Sequence, residues 1–95
     1  MQINHEEANS KGSFFIREAD KQLAEMTYHL NEPGTMVIEH TWVAESLRGK
    51  KVGNALVDKG VEFAREHHYK ILPLCTFAHK VLTRDKDQYA DLLQG

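Results

Sequence analysis

The stretch Ser46-Leu47-Arg48-Gly49-Lys50-Lys51-Val52-Gly53-Asn54 lies between a strand-like run, Met36–Ala44, and an amphipathic run, Val52–His68. A strand, a short glycine- and lysine-bearing turn and a helix start make an arrangement that cradles phosphate. Backbone N–H groups left unpaired at a helix N-terminus point outward, and the helix dipole adds roughly half a positive charge there. Glycine lets the backbone approach a bulky anion, and Arg48, Lys50 and Lys51 add mobile positive charge. Cations at a helix start oppose the dipole, so Lys50 and Lys51 are either solvated charges held at a small cost or partners of an anion. No Gly-Lys-Ser/Thr follows, so this is not a Walker P-loop, and the second and third glycines of a dinucleotide fingerprint are missing. The stretch predicts a phosphorylated ligand.

Working outward, residues 1–12 are polar and read as a loosely held lead-in with at most a short edge strand. Ser13–Glu18 is rich in strand formers, and Ala19-Asp20-Lys21 turns the chain. From Leu23 to Leu30 the residues alternate, with Ala24, Met26, Tyr28 and Leu30 on one face, as in a half-buried strand. Pro33-Gly34 suits the centre of a type II turn. The alternation then places Met36, Ile38, His40, Trp42 and Ala44 on one side of the next strand and Glu39 on the other. Short turns between these strands predict an antiparallel meander. Leu56, Val57, Gly60, Phe63, Ala64 and His67 recur at helical spacing, predicting a helix from about Gly49 to His68. Ile71–Cys75 reads as a short buried strand, parallel to Met36–Ala44 because a helix connects them. Pro73 inside it marks an edge, a strand start or a bulge. Thr76–Thr83 suits a short helix, and Asp85 is placed to cap a last one.

Ninety-five residues allow one domain, 1–95, whose folding should bury about 65% of the unfolded surface. A net charge of -2 gives no support for nucleic-acid binding. No run of about 20 apolar residues is present to span a membrane. The segment Met1-Gln2-Ile3-Asn4-His5-Glu6-Glu7 lacks the regions of a signal peptide, and a single cysteine, Cys75, fits a reducing cytoplasm. His67, His68, Cys75 and His79 lack a fourth ligand or a carboxylate partner by motif, so no metal site is expected.

The order strand, Arg-Gly-x-x-x-Gly turn, long helix, strand resembles the core of the GNAT superfamily of acetyl-CoA-dependent N-acetyltransferases. Its pyrophosphate signature, Arg/Gln-x-x-Gly-x-Gly/Ala, is matched by Arg48-Gly49-Lys50-Lys51-Val52-Gly53, except that Lys51 stands at the first glycine. His40-Thr41-Trp42-Val43, Leu47-Arg48-Gly49 and Pro73-Leu74-Cys75-Thr76-Phe77 resemble more narrowly the minimal GNAT-like proteins, in which a cysteine ends the strand after the phosphate-turn helix. The resemblance implies an α/β fold with a mixed sheet, acetyl-CoA or coenzyme A as ligand, and an amine acceptor of a small molecule or peptide. It places Trp42 and Val43 beside the pantetheine arm and Arg48, Gly49, Lys50, Lys51, Val52, Gly53 and Asn54 around the pyrophosphate, with Phe77 as a further cofactor-binding residue.

The same resemblance implies a backbone N–H near Val43 that polarises the thioester carbonyl, and Cys75 close to the CoA sulfur. Cys75 is then a nucleophile carrying the acetyl group, a proton donor to the leaving thiolate, or a buried structural thiol. His40 is either a base for the amine or a histidine satisfied by main chain. Trp42 is core or ligand platform. Larger GNAT enzymes build the acceptor site from two helices and further strands that have no counterpart here. An open acceptor side, or one completed by a second subunit of a weak homodimer, is expected. The alternatives to an acetyltransferase are a module that holds CoA without turnover and an interaction domain with no cofactor.

Overall fold

The computed structural model describes residues 2–31 and 33–93. The elements are β1 (Asn4–Ala8), β2 (Lys11–Glu18), β3 (Lys21–Asn31), β4 (Thr35–Val43), a single 3-10 turn (Glu45–Leu47), α1 (Val52–Glu66), β5 (Lys70–Pro73), α2 (Thr76–Arg84) and α3 (Lys86–Tyr89). One sheet runs β1-β2-β3-β4-β5, antiparallel through β4 and parallel between β4 and β5. The expected three-strand meander gains a fourth strand, because residues 4–8 pair fully with β2. Two-residue turns close the first two hairpins. Asn9 and Ser10, then Ala19 and Asp20, all take positive φ, as the right-handed twist of flanking strands requires. Gly34 has no such φ, so the type II turn expected at Pro33-Gly34 is not formed.

Helix α1 lays Val52, Leu56, Val57, Gly60, Val61 and Ala64 against one face of the sheet, over Ala24, Met26, Met36 and Ile38. Gly60 permits that approach, since a Cβ there would stand 2.8 Å from the Met26 methyl. Ala78, Val81 and Leu82 of α2, with Tyr89 and Leu92, complete the same core. Asp85 does precede α3, but its side chain makes no capping bond. Among the described residues, no helix lies on the opposite face of the sheet.

Strand β4 departs from simple alternation, and this repositions two residues. Its register with β3 shifts between Thr27↔His40 and Tyr28↔Ile38, which leaves Glu39 as an extra, bulged residue. Residues directly opposite on antiparallel strands share a face. Thr41 opposite Met26 and Val43 opposite Ala24 therefore point to the core side, while His40 opposite Thr27 and Trp42 opposite Glu25 point outward. The expectation that His40 and Trp42 share a face with Ile38 is corrected by that one inserted residue. Glu39 also lies on the outer side, bonded to His29 Nδ1 at 2.6 Å.

A polar knot ties β1 to the sheet. Tyr28, 1% exposed, donates its phenol proton to Glu7 Oε1 at 2.7 Å, so His5 Nε2–H is the donor in its 2.6 Å contact with Tyr28 Oη. The His5 ring stacks on Phe14 at 4.2 Å and meets Phe63 edge-on. Gly12 leaves room for the phenol, because a Cβ there would lie 2.5 Å from Tyr28 Oη and 2.6 Å from the Glu6 carbonyl oxygen. Gly12→Ala is expected to cost about 1–3 kcal/mol in denaturant unfolding, since backbone as well as side chain must yield. Burial, helped by His67 and opposed by Glu7, lowers the His5 pKa from 6.5. A histidine with a depressed folded pKa stabilises fully above its unfolded value, and that contribution is lost as pH falls through the folded value. The His5 ring protons should thus titrate in NMR with a midpoint below 6.5; a midpoint above it would reverse the predicted loss of stability in acid.

Candidate active site

The parallel ladder between β4 and β5 stops early. Its last pair is Ile38↔Pro73, after which Leu74 N–H and Cys75 N–H both turn onto the Ile38 carbonyl, at 3.0 and 3.2 Å. Beyond that point, among the described residues, no strand pairs with β4 on its β5 side as far as Val43. A cleft of about 580 Å³ opens there, lined by Thr41, Val43, Leu47, Arg48, Gly49, Lys51, Val52, Gly53, Asn54 and Phe77.

One end of the cleft is the start of α1. The helix begins at Val52 rather than Gly49, because Gly49 (φ 81°) and Lys51 (φ 57°) are both left-handed. Lys51 is the N-cap, with ψ 31°, and no side chain caps the helix. The first N–H to close within the helix is that of Ala55, onto the Lys51 carbonyl at 3.1 Å. The N–H groups of Val52, Gly53 and Asn54 thus lack an intrahelical acceptor, the condition that suits an anion. Lys51 holds the left-handed conformation that the family signature assigns to glycine, at a cost of about 1–2 kcal/mol for a residue with a Cβ. Gly53 is needed for another reason. The Phe77 ring lies over it, and a Cβ at Gly53 would stand 2.7 Å from that ring.

At the other end, Cys75 is the N-cap residue of α2 instead of the last residue of β5. Its thiol hydrogen-bonds the Thr41 hydroxyl at 3.4 Å across the opening. Burial pushes the thiol pKa up, but the Thr41 hydroxyl and the main-chain N–H groups of Ala78, Phe77 and Thr41 outweigh it and hold the pKa below its ordinary value. A helix N-terminus favours ionisation of a thiol in the same direction.

The fold thus gathers Val43, Arg48, Gly49, Lys51, Val52, Gly53, Asn54 and Phe77 around one cleft, with Cys75 reached through Thr41. Lys50 is exposed in the turn and its backbone N–H bonds the Leu47 carbonyl at 3.4 Å; it does not line the cleft. His40 and Trp42, expected at the catalytic and pantetheine positions, stand on the other side of β4. Thr41 and Leu47 were not expected in the lining. Thr41 follows from the bulge, which has no periodic signal, and Leu47 from the 3-10 turn that carries it under the cleft. Among the described residues no group of three His, Cys, Asp or Glu side chains is placed to hold a metal, and no helix is long and apolar enough to cross a membrane. Lys51→Gly is expected to raise stability by roughly 0.5–1 kcal/mol by removing the left-handed strain; an unchanged or lower unfolding midpoint would show that lysine is not strained there.

Comparison with known proteins agrees with this geometry. Residues 13–92 match the GCN5-related N-acetyl-transferase family. The chain is 33% identical to a GCN5-like protein from Staphylococcus aureus whose solution structure superposes with a TM-score of 0.69, covering 97% of this chain and 88% of that one. It also superposes at 0.64 on the ribosomal-protein-alanine N-acetyltransferase of Brucella melitensis, with 18% identity over 93% of this chain and 64% of the other, a likeness of fold alone. Streptothricin acetyltransferase A of Bacillus subtilis is 30% identical over 69 residues, 73% of this chain. The chain spans only 40% of that enzyme's length. On the family match over most of its length, the chain belongs to the GCN5-related N-acetyltransferase family.

Proposed function

We propose that the protein moves an acetyl group from acetyl-CoA to an amine, with Cys75 as the reacting thiol. The observation that carries this reading is the position of Cys75. Its sulfur sits at the N-terminus of α2, bonded to Thr41 across the opening between β4 and β5. The far end of the same cleft is the uncapped N-terminus of α1. A ligand with a phosphate at one end and a thioester at the other matches that layout. A relative of the same fold from Clostridium acetobutylicum, with a TM-score of 0.65 and 16% identity over 80% of this chain, was solved with acetyl-CoA.

The residues present fit that donor substrate. The free N–H groups of Val52, Gly53 and Asn54, with the Arg48 and Lys51 side chains, would take the pyrophosphate. Val43 and Phe77 would flank the pantetheine arm. The unpaired β5-side edge of β4 would give it main-chain hydrogen bonds, and a β4 N–H near Val43 would stabilise the oxyanion. Acetyl-CoA supplies an acyl group already activated as a thioester. The Cys75 sulfur attacks the carbonyl carbon, the new S–C bond forms, the bond to the CoA sulfur breaks, and the proton released by Cys75 leaves with the CoA thiol. A neutral amine then attacks acetyl-Cys75, the N–C bond forms, the S–C bond breaks, and the amine gives up a proton. That proton returns to the Cys75 sulfur, which restores the thiol; His40, turned to the outer side of β4, is not brought to the sulfur.

Intact-mass spectrometry after incubation with acetyl-CoA tests the reading. The wild-type chain should gain one acetyl group and Cys75→Ala none, with amine-stimulated CoA release falling at least about a hundredfold. Release that persists in Cys75→Ala would instead favour direct transfer with no acyl-cysteine. CoA binding without release from any amine would favour a non-catalytic module.

A further inference from the structure

The bulge at Glu39 turns Trp42 out of the core and sets it directly opposite Glu25 on the bare face of the sheet. Trp42 is 45% exposed, an unusual surplus for the chain's one tryptophan. Neither the Glu25 nor the Glu6 carboxylate has a hydrogen-bond or ion-pair partner among the described residues. Both line a second hollow, of about 640 Å³, together with Glu7, Lys11, Ser13 and Thr27. The Glu7 carboxylate is turned to Tyr28 on the core face, so Lys11 is the one cation of this lining against the two outer-face carboxylates, Glu6 and Glu25. Thr27, on the same wall, is opposite His40. The hollow, the indole and His40 therefore form one continuous strip on the outer side of β4, while Cys75 meets Thr41 through the opening at that strand's edge.

We infer that this strip is the acceptor side and that it selects amines carrying a second positive charge, Glu25 and Trp42 being its specificity-determining residues. The inference rests on the acetyl-transfer reading above. The attacking amine must be neutral, so it gains nothing from carboxylates. A second ammonium that stays charged is held by Glu25 and by the face of the Trp42 indole, an arrangement of cation over aromatic ring beside an acid. The chemical class is an aliphatic diamine or a peptide with a basic side chain near the acetylated amine.

Putrescine and butylamine, which differ by the second ammonium, are suitable probes. With the wild-type chain, kcat/KM for CoA release should favour putrescine by about tenfold, as an exposed cation–π contact and an ion pair together provide. Glu25→Gln and Trp42→Leu should each bring the ratio toward unity, and added salt should do the same. Glu18→Gln, which removes an exposed carboxylate at the end of β2, should leave the ratio unchanged. Equal rates for the two amines in the wild type, or a preference that survives Glu25→Gln, would overturn the inference. Trp42 fluorescence separates the two readings, since it reports binding without turnover. A shift with putrescine that is absent with the uncharged 1,4-butanediol and lost in Glu25→Gln supports the strip even if no acetyl group moves, a result that would sink the transfer reading alone. Acetyl transfer with no putrescine-specific shift and no preference would sink only the selectivity.

Discussion

The parallel ladder between β4 and β5 ends at the Ile38 carbonyl, which takes the regular bond from Leu74 N–H and a second one from Cys75 N–H. The Cys75 N–H is thereby folded back instead of carried forward along β4, and the chain turns at once into α2. On the facing strand the extra residue Glu39 shifts the register in the same place. Two strands that would otherwise zip together are held apart, and the polar edge of β4 from Thr41 to Val43 is left for something other than β5. A buried sheet edge is costly unless its N–H and C=O groups find partners. An elongated ligand with amide groups of its own would satisfy that edge.

The two ends of the opening are then built by two helix starts with different tasks. At α1 the backbone is forced into left-handed turns at Gly49 and Lys51, which swings the first helical N–H groups toward the cleft. Lysine at that second position trades backbone comfort for a charge at the mouth. At α2 the N-cap residue is Cys75, whose side chain makes no capping bond but whose sulfur lies by the Thr41 hydroxyl and the first N–H groups of the helix. Phe77 joins the two ends physically, since its ring closes over Gly53. A single change at Gly53 would thus be felt at both.

Much of this was legible in the residues. The period of two in Leu23–Leu30, the helical stripe from Leu56 to Ala64 and the glycine-lysine turn between a strand and a helix each follow from local rules, and the fold bears them out. The extent of β1 was less visible, because its exposed and polar residues, Glu6 and Glu7 among them, carry little apolar signal and gain their place by pairing with β2. The faces of His40 and Trp42 could not be read at all. Alternation assumes an unbroken strand, and a bulge adds one residue without changing composition. That is why the cleft wall turned out to be Thr41 and Val43, while the indole stands on the solvent side.

The most direct test of the account is the backbone amide spectrum of the isotope-labelled chain titrated with coenzyme A. The account predicts the largest shifts at Val43, at the turn residues from Gly49 to Asn54, and at Phe77, with the outer-face residues Thr27 and Val37 unmoved. Shifts concentrated on the outer face, or none at millimolar ligand, would contradict it.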